Sequence, residues 1–347
     1  MLKTISCRAA YGKNGQGRHF AQVVDEAQAA GELKQYYTTG IRPGDEQFGR
    51  VIDGRRTQFL LKYTPIRFSR GWPTFLVNDL FDRAVARHLK DFNAGYAGFV
   101  GGALHGFRRA RELGTLRLEL HAPTCHVHVT ARQNAKAHRD FKIERGWLNP
   151  VTIGKALKEY EMADVIYVNS SYTLESFIDE GIPAEKLHRF QLRPHPRFTP
   201  PASRPKDGIF RVLYVGSLSV TKGIPVLLEA FSRLAGSDAE LILVGGCSTR
   251  AMANYLASWE AKDPRIRREG YKDPLPFLHQ ADVYVHPSYQ EGFGYAPMEA
   301  LTSGLPVIVT EDTGMKEHVL SPEQGYIVRT GSWQAILEPL EAIYQNH

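Results

Sequence analysis

Two glutamates set among glycines are the residues best placed to do chemistry. In the stretch PSYQEGFGYAPMEALTSGLP, residues 287–306, Glu291 comes just before Gly292, Phe293 and Gly294, and Glu299 follows after seven intervening residues. A carboxylate accepts paired hydrogen bonds from vicinal hydroxyls, which is how a sugar or a ribose is gripped. Glycines let backbone N–H groups approach a ligand, and a helix opening just beyond them offers its positive end to a phosphate. Either glutamate alone reads as a surface charge or a capping acid. Together in this frame they read as a ligand site.

Histidines form a second group, in HAPTCHVH, with His121, His126 and His128. On extended backbone His126 and His128 would share a face, which raises zinc. No second ligand pair follows at metal spacing, so no metal and no cofactor is expected. The plain alternative is a histidine satisfied in the core or at the surface. The glycine-rich GKNGQG at 12–17 is a third feature. Its Gly15 and Gly17 lack the GxGxxG spacing, so it reads as a loop between a strand and a helix starting near Arg18. Gly101 and Gly102 close a later strand in a similar way.

The elements that must position these groups alternate short apolar runs with helix-like segments, the pattern of βα units on a parallel sheet. In the first half, strands are expected at 4–7, 97–100, 115–120 and 164–168, with helices near 18–30 and 152–162. The region 42–92 carries no clear pattern. Five prolines between residues 193 and 207 suit a stiff linker better than a packed element, so the domains are drawn at 1–200 and 201–347. The second half restarts cleanly, with strands at 210–215, 240–244, 282–286 and 306–310 and helices at 224–234 and 296–302. Glu291 then lies at the open C-terminal edge of a strand and Glu299 on the next helix. Ligands of doubly wound sheets bind at those strand ends.

Bulk properties agree with a two-domain α/β chain. Its 347 residues are roughly twice a single-domain length, and 43% hydrophobic with 23% charged is ordinary for a folded chain. Three scattered cysteines without a CxxC pair argue against a disulfide framework and fit a reducing cytoplasm. No secretory pattern opens the chain, and no run reaches the roughly 20 apolar residues of a membrane span. The net charge of +6 includes a dense cluster at Arg108, Arg109 and Arg111. That cluster is either a solvated helix face or a surface for anionic lipid. Nucleic acid is not expected as a partner because the basic residues are spread out and no recognised binding pattern occurs.

The 287–306 stretch resembles the signature of the retaining glycosyltransferases of GT-B fold, family 4. The likeness extends to VLYVGSLSVTKG at 212–223, similar to that family's phosphate-binding turn, and to ADVYVHPS at 281–288. It covers about residues 210–328, and in the first half 163–171 and 181–187. The resemblance implies two Rossmann-like domains, with the acceptor on the first and a nucleotide-sugar donor on the second.

The same resemblance implies a role for each matching residue. Glu291 would bind donor-sugar hydroxyls beside the backbone of Gly292, Phe293 and Gly294, and Glu299 would bind the ribose. Lys222 would neutralise the diphosphate as the sugar leaves, the task of a metal ion elsewhere. Gly216 and Ser217 would lie at the phosphates, and Tyr271 and Lys272 near the nucleobase. His126, with His121 second, would be a cleft histidine with a catalytic part. Gly15, Gly17, Arg18, Gly101 and Gly102 would line the acceptor side. Ser217 departs from the pattern, which usually has an arginine there, and Arg18 is the candidate to compensate.

The reading that results is a hexosyltransferase using a UDP- or GDP-type sugar, with a polysaccharide, glycolipid or small acceptor. It would be cytoplasmic, with peripheral contact to the inner face of the membrane. The alternatives are a GT-B nucleotide-sugar epimerase and a non-catalytic sugar-nucleotide-binding scaffold.

Overall fold

The computed structural model describes residues 1–69, 71–90 and 95–347. The chain packs into two compact units. The first comprises Met1–Val129, Gly146–Asn169 and Thr173–Leu192; the second comprises Thr130–Arg145, Ser170–Tyr172 and Arg193–His347. The division therefore falls at Leu192–Arg193 instead of residue 200, and two earlier segments pack with the later unit. Nothing in their local sequence marks them.

In the first unit the elements run β1 (Lys3–Ser6), α1 (Asn14–Ala29), β2 (Leu33–Thr38), β3 (Gly49–Val51), α2 (Arg55–Tyr63), α3 (Trp72–His88), β4 (Gly95–Phe99) and α4 (Leu104–Glu112). There follow β5 (Leu118–Ala122), α5 (Val127–Asp140, in the second unit from Thr130 on), α6 (Pro150–Met162), β6 (Val165–Val168), α7 (Ser171–Asp179, in the first unit from Thr173 on) and β7 (Leu187–Arg189). Its sheet has the order β3-β2-β1-β4-β5-β6-β7 and every pairing is parallel. Strands covered on both faces lose the apolar alternation of half-exposed ones. All five residues of β4, GYAGF, are buried accordingly.

The second unit continues with β8 (Phe210–Val215), α8 (Ile224–Phe231), β9 (Ala239–Val244), α9 (Arg250–Glu260), β10 (Ile266–Gly270) and α10 (Leu275–Gln280). It ends with β11 (Val283–His286), α11 (Tyr295–Thr302), β12 (Val307–Thr310), β13 (Gly325–Val328) and α12 (Trp333–Tyr344). The parallel order is β10-β9-β8-β11-β12-β13. Its core joins Leu213-flanking strand residues Val212 and Tyr214 to Leu227, Leu228, Ile336 and Leu340 from α8 and α12.

Both sheets reverse their winding once, between β1 and β4 in the first unit and between β8 and β11 in the second. Such switch points open a crevice outside the strand C-termini. The expected elements are found with shifts of a few residues. Three corrections carry physical reasons. Gly15 and Gly17 lie in the first turns of α1, which opens at Asn14, so they do not form a loop. His126 and His128 do not share a strand, because α5 begins at Val127. The proline-rich segment is largely exposed but is anchored at two points. Phe198 is buried, and the Arg204 guanidinium donates to the carbonyls of Leu278, Ala281 and Ser303 at 2.8–2.9 Å.

The region that read poorly contains α2 and α3. Helix α3 buries Asp79 and Asp82 beside Phe81 and Val85, so the face turned inward is half acidic and has no apolar period.

Candidate functional site

The loop after β8 is shaped by glycines that cannot be replaced. Gly216 has φ of 147°, and a Cβ on Gly245, at the end of neighbouring β9, would come 1.8 Å from the Gly216 carbonyl oxygen. The loop then runs across the strand ends, its Leu218 N–H donating to the Gly246 carbonyl at 2.9 Å and its Ser217 carbonyl accepting from Tyr214 at 2.9 Å. Gly223, at φ of 71°, opens α8, and a Cβ there would fall 1.9 Å from the Pro287 carbonyl oxygen. Only a glycine lets the end of this loop press on the loop after β11. Tyr289 N–H donates to the Thr221 carbonyl at 3.0 Å and completes the stitching.

That contact sets Lys222 against Glu291. The Lys222 ammonium bonds Glu291 Oε2, with the two side chains 27% and 23% exposed. His286, at the last residue of β11, is buried, and its Nε2 stands 3.7 Å from the same oxygen, beyond hydrogen-bond distance. Its Nδ1 lies 3.3 Å from Tyr284 Oη, which itself donates to the Val215 carbonyl at 3.1 Å. Burial pushes the His286 imidazole below its usual range, against the pull of Glu291. Burial alone would raise the Glu291 carboxyl, but Lys222 and His286 outweigh it and hold it well below the usual carboxylate range. The result is an ionised pair at the switch point.

Glu291 is held by its backbone as well. Its N–H donates to the Asp312 carbonyl and its carbonyl accepts from Gly314 N–H, both at 3.0 Å. Ser170 donates to the Gly292 carbonyl at 2.5 Å, and a Cβ on Gly314 would come 2.1 Å from that oxygen. Phe293 is buried. Gly294, at φ of 100°, opens α11, and Glu299 is buried on that helix. Beyond β10, Tyr271 is 88% exposed and its ring edge stands close to Gly246, where a Cβ would come 2.3 Å from it. Lys272 is turned to Glu269 at 2.5 Å. The structure therefore brings Gly216, Ser217, Lys222, Glu291 and Gly292 together, with Tyr271 further along the same row of strand ends.

Two contributors have no sequence signal near the motifs. Glu144 accepts from Val220 N–H at 2.9 Å and from Ser248 and Thr249 at 2.5 and 3.0 Å, tying the loop after β8 to the loop after β9. Asp140 accepts from Tyr289 at 2.8 Å. His286 was given no role by the sequence reading, although it stands directly before Pro287 in the matching stretch.

The first unit's predicted residues are placed differently. Gly101 N–H donates to Glu159 at 2.6 Å, and the Ala103 and Leu104 N–H groups donate to the same carboxylate at 2.9 and 3.1 Å. This end of α4 is capped from within, so Gly101 offers no amide to a ligand. Gly102 N–H is closed onto the Phe99 carbonyl at 3.0 Å. His121 is buried between the rings of Phe99 and Tyr167, and burial lowers its imidazole well below the usual range. His126 is buried against Tyr160 and Phe177. Gly17 is buried and Arg18 half-buried on α1. Of the arginine cluster, Arg109 pairs with Glu112 at 3.1 Å and Arg111 with Asp164 at 2.5 Å, so two of the three charges are met by the protein itself. No helix among the described residues is long and apolar enough to cross a membrane.

Residues 198–347 match the model of the glycosyl transferases group 1. That match covers the second unit and less than half of the chain, so the likeness to the family is a likeness of this part. The chain is 31% identical over 143 residues to the capsular polysaccharide biosynthesis glycosyltransferase CapM of Staphylococcus aureus, covering 40% of this chain and 37% of that one. A GDP-mannose-dependent alpha-mannosyltransferase of Mycobacterium tuberculosis is 24% identical over 92% of this chain and 82% of its own. Among solved structures, sucrose-phosphate synthase of Thermosynechococcus elongatus superimposes with a TM-score of 0.75 at 18% identity, covering 100% of this chain and 90% of that one. This likeness establishes the GT-B fold, two parallel sheets of the doubly wound kind. The chain matches less than half the length of the first curated relatives; the family-model match at 198–347 contains Lys222, Glu291 and Glu299.

Proposed function

We propose that the chain is a retaining glycosyltransferase that moves a hexose from a UDP- or GDP-type sugar to a glycan, glycolipid or small acceptor. The observation that carries the reading is the Lys222–Glu291 pair at the β8/β11 switch point. A bound donor would part the two groups, its diphosphate taking Lys222 and its hydroxyls taking Glu291. Glu299, one turn into α11, takes the ribose, and the exposed face of Tyr271 takes the base. In the transfer the bond from the anomeric carbon to the diphosphate oxygen breaks and a bond to the acceptor oxygen forms on the same face. The acceptor proton passes to the leaving phosphate, and the nucleoside diphosphate departs. Lys222 stabilises the charge that grows on that leaving group, in place of a metal ion. The name of the GDP-mannose-dependent relative supports a nucleotide-sugar donor.

The test is thermal stabilisation of the purified protein by a panel of nucleoside diphosphates and nucleotide sugars, with and without EDTA. A ligand at about 100 times its Kd adds roughly 2.7 kcal/mol, enough to raise Tm by a few degrees. One nucleotide that stands out, with the same shift in EDTA, supports the reading and names the donor. No shift from any of them overturns it in favour of a scaffold that has kept only the donor fold.

A further inference from the structure

A cavity of about 390 Å³ opens where the chain leaves β13 and starts α12. It is lined by Arg329, Thr330, Gly331, Ser332 and Gln334 of that connection and by Lys136 of α5, all in the second unit. Thr330 is 4% exposed, and its Oγ1 meets no hydrogen-bond partner among the described residues. A buried hydroxyl left unpaired is costly, and a ligand oxygen in the cavity would supply the missing partner. We propose that this cavity binds a phosphate-type oxyanion, at a site separate from Lys222 and Glu291.

Both charged residues that line the cavity are cations. The Arg329 side chain is exposed and makes no hydrogen bond or ion pair among the described residues. Lys136 donates to the Thr330 carbonyl at 3.4 Å and stands 6.0 Å from the centre of the Tyr289 ring, so ammonium protons remain for an anion. One acid, Glu311, is hydrogen-bonded to a lining residue among the described ones, and its Oε1 is taken by the Thr330 N–H at 3.2 Å.

The backbone adds donors. Gly331, at φ of 79°, turns the chain into α12, a helix of 12 residues. Ser332 caps it, its Oγ accepting the Ala335 N–H at 3.2 Å. The Trp333 and Gln334 N–H groups come before the first intrahelical bond and have no partner within the helix. The helix dipole places partial positive charge at the same end. Gln334 Oε1 accepts from Ser332 at 3.2 Å, which leaves its amide nitrogen to donate as well. Two cations, amide protons and one hydroxyl suit a group with three or four charged oxygens; a chloride or a single carboxylate would leave several donors unmet. Free phosphate and a phosphomonoester share that chemistry.

The experiment titrates the full chain, in phosphate-free buffer at fixed ionic strength, with inorganic phosphate and separately with glycerol 3-phosphate. Calorimetry and Tm are the readouts. The titrations are run on the wild type and on Lys222→Gln, which lacks the cation proposed for the donor diphosphate. Saturable binding and a rise in Tm are expected in both, so failure here is read apart from failure of the donor reading. Arg329→Gln and Lys136→Gln should each weaken binding by about 10-fold or more, as the loss of a charge-assisted contact does. Thr330→Val should weaken it too, yet melt higher than the wild type without phosphate, because an unpaired buried hydroxyl is gone. An ester that binds as tightly as phosphate or more tightly assigns the site to a phosphorylated small molecule; weaker binding assigns it to the free ion. The proposal is overturned by no saturable binding, by binding lost in Lys222→Gln but kept in Arg329→Gln, or by unchanged affinity in Thr330→Val.

Discussion

The two switch points of this molecule start from the same topology and use it in opposite ways. Between β1 and β4 the N-terminal end of α4 is filled by the protein's own Glu159, which takes three backbone N–H groups. Nearby Lys155 is 5% exposed and divided between Asp79 and Asp82. Between β8 and β11 the lysine and the glutamate are a quarter exposed and paired only across two loops. Burying charge is tolerable when every lone pair and proton is met, and removing one member then leaves an uncompensated group inside. A pair at a solvent-lined edge can exchange its partner for a ligand at much lower cost. The first arrangement builds structure; the second builds a site.

The largest expected effect breaks the comparison on its functional side. Glu291→Ala should lower sugar transfer by about 1,000-fold while leaving the melt close to the wild type. A variant that unfolds would place Glu291 with the internal acids instead.

Next, Glu159→Ala should cost about 3 kcal/mol or more in urea unfolding, because three buried N–H groups lose their acceptor. The melting shift produced by a nucleotide should stay as it was. pH sharpens the same point. Burial, opposed by Lys155 and the amides of Ala103 and Gly101, pushes Glu159 up to about 7. A raised acid favours folding below its ordinary value and loses that contribution as pH rises through about 7. Glu159→Gln should flatten stability over that window, and an unchanged pH profile would contradict the assignment.

His19 gives a smaller effect of opposite sign. Its two ring nitrogens are buried without partners among Phe99, His121 and Phe190, and burial lowers the imidazole to about 3. A depressed group contributes stability above the unfolded value near 6.5, lost as pH falls toward 3. By linkage the loss is about 2 kcal/mol at pH 5. His19→Phe should melt higher than the wild type at pH 5 relative to pH 8, and equal acid sensitivity would refute it. The smallest effect is expected at Tyr271→Ala, a loss of about 1 kcal/mol in nucleotide affinity if a base stacks there. It should be measured by calorimetry, and an unchanged Kd would remove Tyr271 from the site.

Much of the second unit's candidate site was legible because it is local. A strand, a glycine that only a left-handed or crowded backbone explains, a lysine and a helix start lie within the run 212–224, and the run 283–299 repeats the scheme with glutamates. Covalent order alone puts Lys222 and Glu291 at strand ends, and the parallel sheet makes those ends neighbours. The first unit was harder to read for a physical reason. Its α3 turns Asp79 and Asp82 inward, so the apolar period that marks a helix is missing. Gly101 and Gly102 resembled a ligand-facing turn until packing brought Glu159 to the amide, from 58 residues away in sequence.

The sequence by itself determined the alternation of strands and helices, the glycine-framed motifs and their charge types, because each depends on residues only a few positions apart. Tertiary structure decided which of those charges would be spent internally. Glu144 reaches the loop after β8, Glu159 caps α4 and Glu180 joins the histidine pair, each from a distant element. Such pairings depend on where helices come to rest on the sheet, and that is settled by burying apolar area over the whole unit, not by any local spacing.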